Sequence, residues 1–201
     1  MTTKRSRTIA ANPLGVLFGS QARVAVLSLF VLDPLRAYYQ RQIESVTTLP
    51  IRAVQRELER LNVMGLLFKW VEGNRTYYQV NQQFPLFPDL RTLLLRTATD
   101  VDRLRAAITM TETVRLAFLS QSESRVLIVT AGEARPMVRV PAMFTMEFMN
   151  SQEFLQSLAE RPEVLEAFLV RGVDLLGRRE DLIWRRIEAA GYTVQKGKGV
   201  A

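Results

Sequence analysis

The chain contains no cysteine and no histidine. The first absence excludes disulfides and thiolate zinc sites. The second excludes imidazole metal ligands and any Ser-His or Cys-His nucleophile pair. Catalysis of any kind would have to rest on carboxylates, Lys, Tyr or Ser. Long apolar runs are also missing. The most apolar stretch, VAVLSLFVL at 24–32, falls far short of the ~20 residues needed to span a bilayer. The N-terminal MTTKRSRTIAANP is basic but has neither the apolar centre nor the small-residue cleavage site of a secretory signal. These absences predict a cytoplasmic protein with no membrane association and no cofactor.

What is present is 201 residues, 48% hydrophobic and 23% charged, enough for one large domain or two small ones. The net charge of +7 is unevenly placed. Residues 1–99 hold 13 Lys/Arg against 6 Asp/Glu, whereas 100–201 hold 14 of each, so the whole excess lies in the first half. A compact basic region attracts a polyanion through counterion release. Charge also serves solubility, so the asymmetry alone is a weak pointer to nucleic acid.

Lys4, Arg5 and Arg7 mark residues 1–13 as a flexible basic arm ending at Asn12-Pro13. Val24, Leu27 and Val31 then recur at helical spacing, with Ser20 as N-cap and Asp33-Pro34 as terminator. YYQRQIESV (38–46) reads as a second, short helix, and TTLP as a turn with Pro50 suited to a helix start. In IRAVQRELERLNVMGLL (51–67), Ile51, Val54, Leu58 and Leu61 form one helix face. Arg52, Gln55, Arg56 and Glu59 lie opposite, and Gly65 stops the segment. Residues 66–71 and 76–80 flank a Gly73-Asn74 turn and predict a β-hairpin. The order helix, helix, turn, helix, hairpin is the layout of a winged helix-turn-helix over 14–84.

Pro85 and Pro88 mark a junction. Beyond it Leu90, Leu93, Leu94, Val101, Leu104 and Ile108 predict one long helix from about 89 to 108, within a linker of 85–111. Such a stripe packs within one chain or pairs two chains; pairing is the expectation. Residues 112–192 predict a small α/β domain: strands at 114–119, 125–130 and 143–149, a helix from Ser151 as N-cap, a helix with Pro162 in its first turn, a strand in VDLLG and a last helix ending at Gly191. The tail, 193–201, is expected to be flexible. The fold class is therefore α+β.

Arg donates two hydrogen bonds to guanine O6 and N7, and Gln bonds adenine N6 and N7. Arg52, Gln55 and Arg56 share a polar face near the start of the third helix, where base-reading residues sit. The competing reading is a solvated face laced by pairs such as Arg56–Glu59. Lys69, Asn74 and Arg75 on the hairpin, Arg41 in the preceding helix, and Lys4, Arg5 and Arg7 complete the expected phosphate-contacting set. In each of the pairs Tyr38-Tyr39 and Tyr77-Tyr78, one ring is expected in the core and the other near the surface. Asp100-Val101-Asp102 has the spacing of some two-metal sites. In a helix, however, positions two apart point ~200° apart round the axis, so it reads as surface. No metal site is expected.

LFGSQARVAVLSLFVLDP, YYQRQIESVTTLPIRAVQRELERLNVMGLL, EGNRTYYQVN and FPLFPDLRTLLLRT together make residues 14–97 resemble the ArsR-like winged-helix transcriptional regulators, in the form joined to a nucleotidyltransferase-like domain. The resemblance implies operator binding as a homodimer. The metal-sensing sites of that group do not carry over, because the chain lacks Cys and His. LAFLSQSESRVLIVT stands where the partner domain has a strand, a Gly-Ser turn, a D-x-D and a second strand. Here the Gly-Ser is absent, and the two acidic places are Glu123 and Arg125. The segment 131–142 is short, while FTMEFMNSQEFLQSL and RGVDLLGRREDL resemble the later elements. The resemblance thus implies a degenerate nucleotidyltransferase-like domain without its metal site.

The reading drawn from the sequence is a non-enzymatic, homodimeric regulator, a repressor, bound to an inverted repeat in double-stranded DNA. Its C-terminal domain dimerises or senses an unknown effector. The alternatives are a nucleotidyltransferase with an atypical carboxylate site, in which Glu123 takes part, and a winged helix that binds only protein.

Overall fold

The computed structural model describes residues 13–133, 136–138, 141–197 and 199–200. Lys4, Arg5 and Arg7 lie outside the described residues. The chain is mixed α+β and forms two compact units: residues through Val31 with Tyr38–Thr97, and Leu32–Ala37 with the chain from Ala98 onward. Among the described residues no helix is long and apolar enough to cross a membrane.

The first unit opens with a short helix, α1 (Pro13–Leu17), which the sequence reading did not anticipate. Helix α2 (Gln21–Leu32) starts where the Ser20 hydroxyl accepts the Arg23 N–H at 3.1 Å, and it stops before Asp33-Pro34. Tyr38–Tyr39 form a two-residue strand, β1, so the second helix, α3, begins later than expected and spans Gln40–Thr47. Helix α4 (Ile51–Val63) follows Pro50. Strands β2 (Leu67–Glu72) and β3 (Arg75–Val80) form a hairpin about Gly73, whose φ of 59° suits the tight turn. The sheet order is β1-β3-β2, with Tyr38 opposite Tyr78, Tyr39 opposite Tyr77 and Trp70 opposite Tyr77. Helix α5 (Phe87–Thr97) closes the unit. Its core holds Val26, Leu27, Phe30, Ile43, Val54, Leu58, Leu61, Leu66 and Val80. Tyr38 and Tyr78 are buried in it, while Tyr39 and Tyr77 are half-buried.

The single long helix expected over 89–108 is two helices. Thr99 caps the second, α6 (Asp100–Thr109): its hydroxyl accepts the Asp102 N–H at 3.1 Å and donates to the Asp102 carboxylate at 2.7 Å. This cap supplies a hydrogen-bond acceptor to a helix N-terminus that would otherwise leave its first N–H groups unpaired. The proposed dimerisation stripe is broken as a result. Leu94 is buried in the first unit, and Leu104 and Ile108 lie in the core of the second. Only Leu90, Leu93 and Val101 retain appreciable exposure.

The second unit is built on a five-stranded mixed sheet, order β6-β5-β4-β7-β8. Strands β4 (Val114–Ser120) and β5 (Arg125–Thr130) form an antiparallel pair, and β6 (Thr145–Asn150) runs parallel to β5. Alternate residues feed two cores. Leu116, Phe118, Leu127 and Val129 pack with Phe154, Phe168 and Trp184; Ala117, Leu119, Val126 and Ile128 pack with Leu104, Ile108 and Phe144. Burial on both faces explains why these strands read as continuous apolar runs rather than alternating ones.

Helix α7 (Ser151–Glu160) is capped by Asn150, not Ser151. Asn150 Oδ1 accepts the Gln152 and Glu153 N–H groups, and the Ser151 hydroxyl instead donates to the Thr130 carbonyl. The expected helix at Pro162 is a 3₁₀ turn (Pro162–Leu165) followed by the short α8 (Glu166–Leu169). Strand β7 is only Val173–Asp174, because the buried Asp174 carboxylate then accepts the Leu176 and Gly177 N–H groups in a turn. Helix α9 (Leu182–Ala189) starts from Asp181, whose carboxylate also takes a two-pronged bond from Arg115 at 2.8 and 2.9 Å. The tail expected to be flexible contributes β8 (Gln195–Lys196), paired in parallel with β7.

Leu104→Ala is expected to destabilise the protein by about 2–5 kcal/mol, and Val101→Ala by no more than about 0.5 kcal/mol. Urea unfolding checks both. The Leu104 loss should not vary with protein concentration, since that side chain fills a core within its own chain.

Candidate nucleic-acid interface

Helix α4 has one orientation open to it. Val54 and Leu58 are fully buried and Leu61 nearly so, which fixes the apolar face inward. At 3.6 residues per turn this turns Arg52, Gln55, Arg56 and Glu59 outward, and all four are exposed. Glu57 is the exception to a simple split. It shares the inward face with Val54, Leu58 and Leu61, and is only 5% exposed. Its carboxylate accepts Arg23 Nε of α2 at 3.0 Å and faces Arg60 at 3.4 Å. The spacing 54, 57, 58, 61 placed Glu57 on this face from the outset. The sequence reading missed it by attending only to the apolar members.

The turn into α4 is tight. Thr48 takes φ 56°, ψ 22°, a left-handed conformation that is strained for a β-branched residue. The Thr47 hydroxyl donates back to the Ile43 carbonyl at 2.6 Å, and the Thr48 hydroxyl to the Thr47 carbonyl at 2.7 Å. With Pro50 next to Ile51, only three residues separate the end of α3 from the start of α4.

Arg52 and Arg56 take part in no ion pair or side-chain hydrogen bond among the described residues. The Arg56–Glu59 pair weighed from the sequence does not form; Glu59 instead faces Lys69 of β2 at 3.9 Å. Gln55 donates to Gln40 Oε1 at 3.4 Å, linking the polar face of α4 to the first residue of α3. Gln40 and Arg41 in turn line an open cleft of about 380 Å³ with Tyr39, Asn74, Arg75 and Thr76. The Gln55–Gln40 bond thus links the exposed face of α4, which carries Arg52 and Arg56, to the cleft lined by Arg41 and Arg75. Arg75 is raised above the ordinary guanidinium pKa, chiefly by its hydrogen bond with the Tyr77 side chain. Its guanidinium also lies 4.6 Å from the centre of the Tyr39 ring. The ring contact packs the guanidinium against Tyr39 at the hairpin tip. Tyr39, Gln40 and Thr76 line the cleft without having been anticipated. For Tyr39 the reason is that β1 exists only through its pairing with β3.

In the second unit, Glu123 lies in the β4–β5 turn and Arg125 opens β5. Arg125 grips the Glu147 carboxylate with Nε at 2.5 Å and Nη2 at 3.0 Å, and reaches Glu123 with Nη1 at 2.6 Å. Its pKa is raised by Glu147 first and Glu123 second, so the guanidinium stays charged throughout the accessible pH range. A permanent cation thus occupies the space between these two carboxylates. Asp100 and Asp102 lie in the first turn of α6 and pair separately, with Arg103 and Arg105. Among the described residues, no three acidic side chains come together as a metal site would require.

No family model matches the chain, and neither a curated protein nor a solved structure matches it.

Glu57→Ala is expected to lower stability by roughly 2 kcal/mol, because it leaves the Arg23 guanidinium without its charged acceptor. Glu59→Ala, on the open face, should change stability by at most about 0.5 kcal/mol. Thermal unfolding of the two variants side by side measures the contrast.

Proposed function

We propose that the protein is a DNA-binding transcriptional regulator whose first unit is a winged helix-turn-helix. The observation that carries this reading is the exposed Arg52–Gln55–Arg56 face of α4, joined through Gln40 to the Arg41–Arg75 cleft. In it α4 lies in the major groove. Arg52 and Arg56 are matched to guanine edges and Gln55 to adenine. Arg41, Asn74, Arg75 and Lys69 contact flanking phosphates and fix the register. The order of elements through residue 97 agrees with the ArsR-like winged-helix resemblance noted in the sequence.

The regulator works in the cytoplasm as a homodimer on an inverted repeat with half-sites about one helical turn apart. Leu90 and Leu93 of α5, half-buried within one chain, are what remains of the dimer stripe. The second unit is assigned to dimerisation or effector sensing and to no reaction, and the sign of regulation is repression. Its mixed sheet agrees with a degenerate nucleotidyltransferase-like fold. The Arg125 guanidinium between Glu123 and Glu147 favours a structural role for that corner over phosphoryl transfer.

The test is selection of bound duplexes from random DNA, followed by fluorescence anisotropy on the winner. Arg52→Ala with Arg56→Ala should reduce affinity about 100-fold and relax sequence preference, each good base contact being worth about 1–3 kcal/mol. Arg75→Ala should weaken all sequences alike and reduce the salt slope by about 0.9. Undiminished affinity in the double variant overturns the reading.

A further inference from the structure

The outer face of the β1-β3-β2 sheet carries an aromatic column that duplex binding leaves unexplained. Trp70 stacks on Tyr77 with ring centres 5.9 Å apart and planes 18° apart. Tyr77 meets Tyr39 edge-on at 5.8 Å, and the Arg75 guanidinium covers the Tyr39 ring at 4.6 Å. Cross-strand aromatic pairs brace hairpins, yet this column also stays open to solvent. Trp70 remains 37% exposed, and Phe68, two residues away on the same face, is 56% exposed. The column runs directly into the cleft that Arg41, Asn74 and Arg75 line.

An occupant must therefore offer flat apolar faces for the column and negative charge for the two guanidinium groups, at short intervals along one chain. Single-stranded nucleic acid has that alternation. Its bases expose their π faces and its phosphates follow a basic groove. Duplex DNA does not fit the column, because its base faces are already stacked on one another. We infer that this face binds a short run of unpaired nucleotides, with bases against the open sides of Trp70 and Phe68 and a phosphate in the Arg41–Arg75 cleft. This activity shares the Arg41–Arg75 cleft with the proposed duplex site, but its aromatic column plays no part there, and it does not require that α4 reads sequence.

The chain reports on this site directly. It has two tryptophans. Trp184 is 1% exposed, enclosed by Phe118 and by Arg179 stacked at 3.7 Å. A base arriving from solvent therefore quenches Trp70 alone. The full chain is titrated with a short thymidine homopolymer and, separately, with a blunt duplex, reading tryptophan emission and the anisotropy of labelled DNA. The homopolymer should quench emission saturably, more so at low salt, and the blunt duplex should not. Trp70→Leu should abolish the quench and weaken homopolymer binding about tenfold. Trp70→Phe, which keeps an aromatic face, should bind by anisotropy with near-normal affinity and no emission change. Absence of any quench in the wild-type chain at saturating homopolymer overturns the proposal without the need for a variant, as does equal quenching by the blunt duplex. If duplex binding is intact while the homopolymer leaves Trp70 unchanged, this inference falls and the regulator reading stands. If the homopolymer quenches while no duplex binds, this inference stands and the regulator reading falls.

Discussion

The burial of one face of α4 governs everything proposed for the first unit. Val54, Leu58 and Leu61 lie in the core, and Glu57 is held among them by Arg23. A buried carboxylate is tolerated only with a charged partner, so the Glu57–Arg23 pair fixes the rotation of α4 against α2 as well as its burial. Once that rotation is set, helical geometry leaves Arg52, Gln55 and Arg56 no position but outward. The chemistry of the exposed face is thus a consequence of the chemistry of the hidden one.

The hairpin extends the same logic to a second kind of contact. Its inner face buries Leu67, Tyr78 and Val80, and the period of two forces Trp70 and Tyr77 to the outside. The pairing of β1 with β3 brings Tyr39 beside Tyr77, which in turn seats Arg75. Two surfaces of different character result: a polar, cationic helix face and an aromatic sheet face. Arg41 and Arg75 line the cleft beside Tyr39, and both proposals draw on them. In the second unit the corresponding economy runs the other way. Arg125 satisfies both neighbouring carboxylates internally, so charge there is spent on holding the β4–β5 turn to β6.

Features set by local pattern were legible in the sequence. The apolar period placed α4 and its outward residues, Gly73-Asn74 placed the hairpin, and the continuous apolar run RVLIVT placed β5 at its observed limits. Features set by distant pairing were not. β1 and β8 are two residues each and exist through β3 and β7, which no nearby residue announces. The division at Thr99 was hidden for another reason: the apolar spacing from Leu90 to Ile108 continues across it, and the Thr99–Asp102 cap was read for its carboxylates instead of for its hydrogen bonds. The same oversight placed the N-cap of α7 on Ser151, whereas Asn150 makes the cap and Ser151 is the first helical residue. The outward residues of α4 were therefore found by periodicity. The aromatic column required the sheet register.

The most direct measurement of the central claim is guanine N7 methylation interference on a duplex selected by the full chain, because N7 lies in the major groove where α4 is proposed to dock. The account predicts that methylation at guanines within each half-site blocks binding, and that these positions lose their effect in the Arg52→Ala, Arg56→Ala variant. Binding that is indifferent to N7 methylation throughout the selected site, or interference that persists unchanged in the variant, would contradict it.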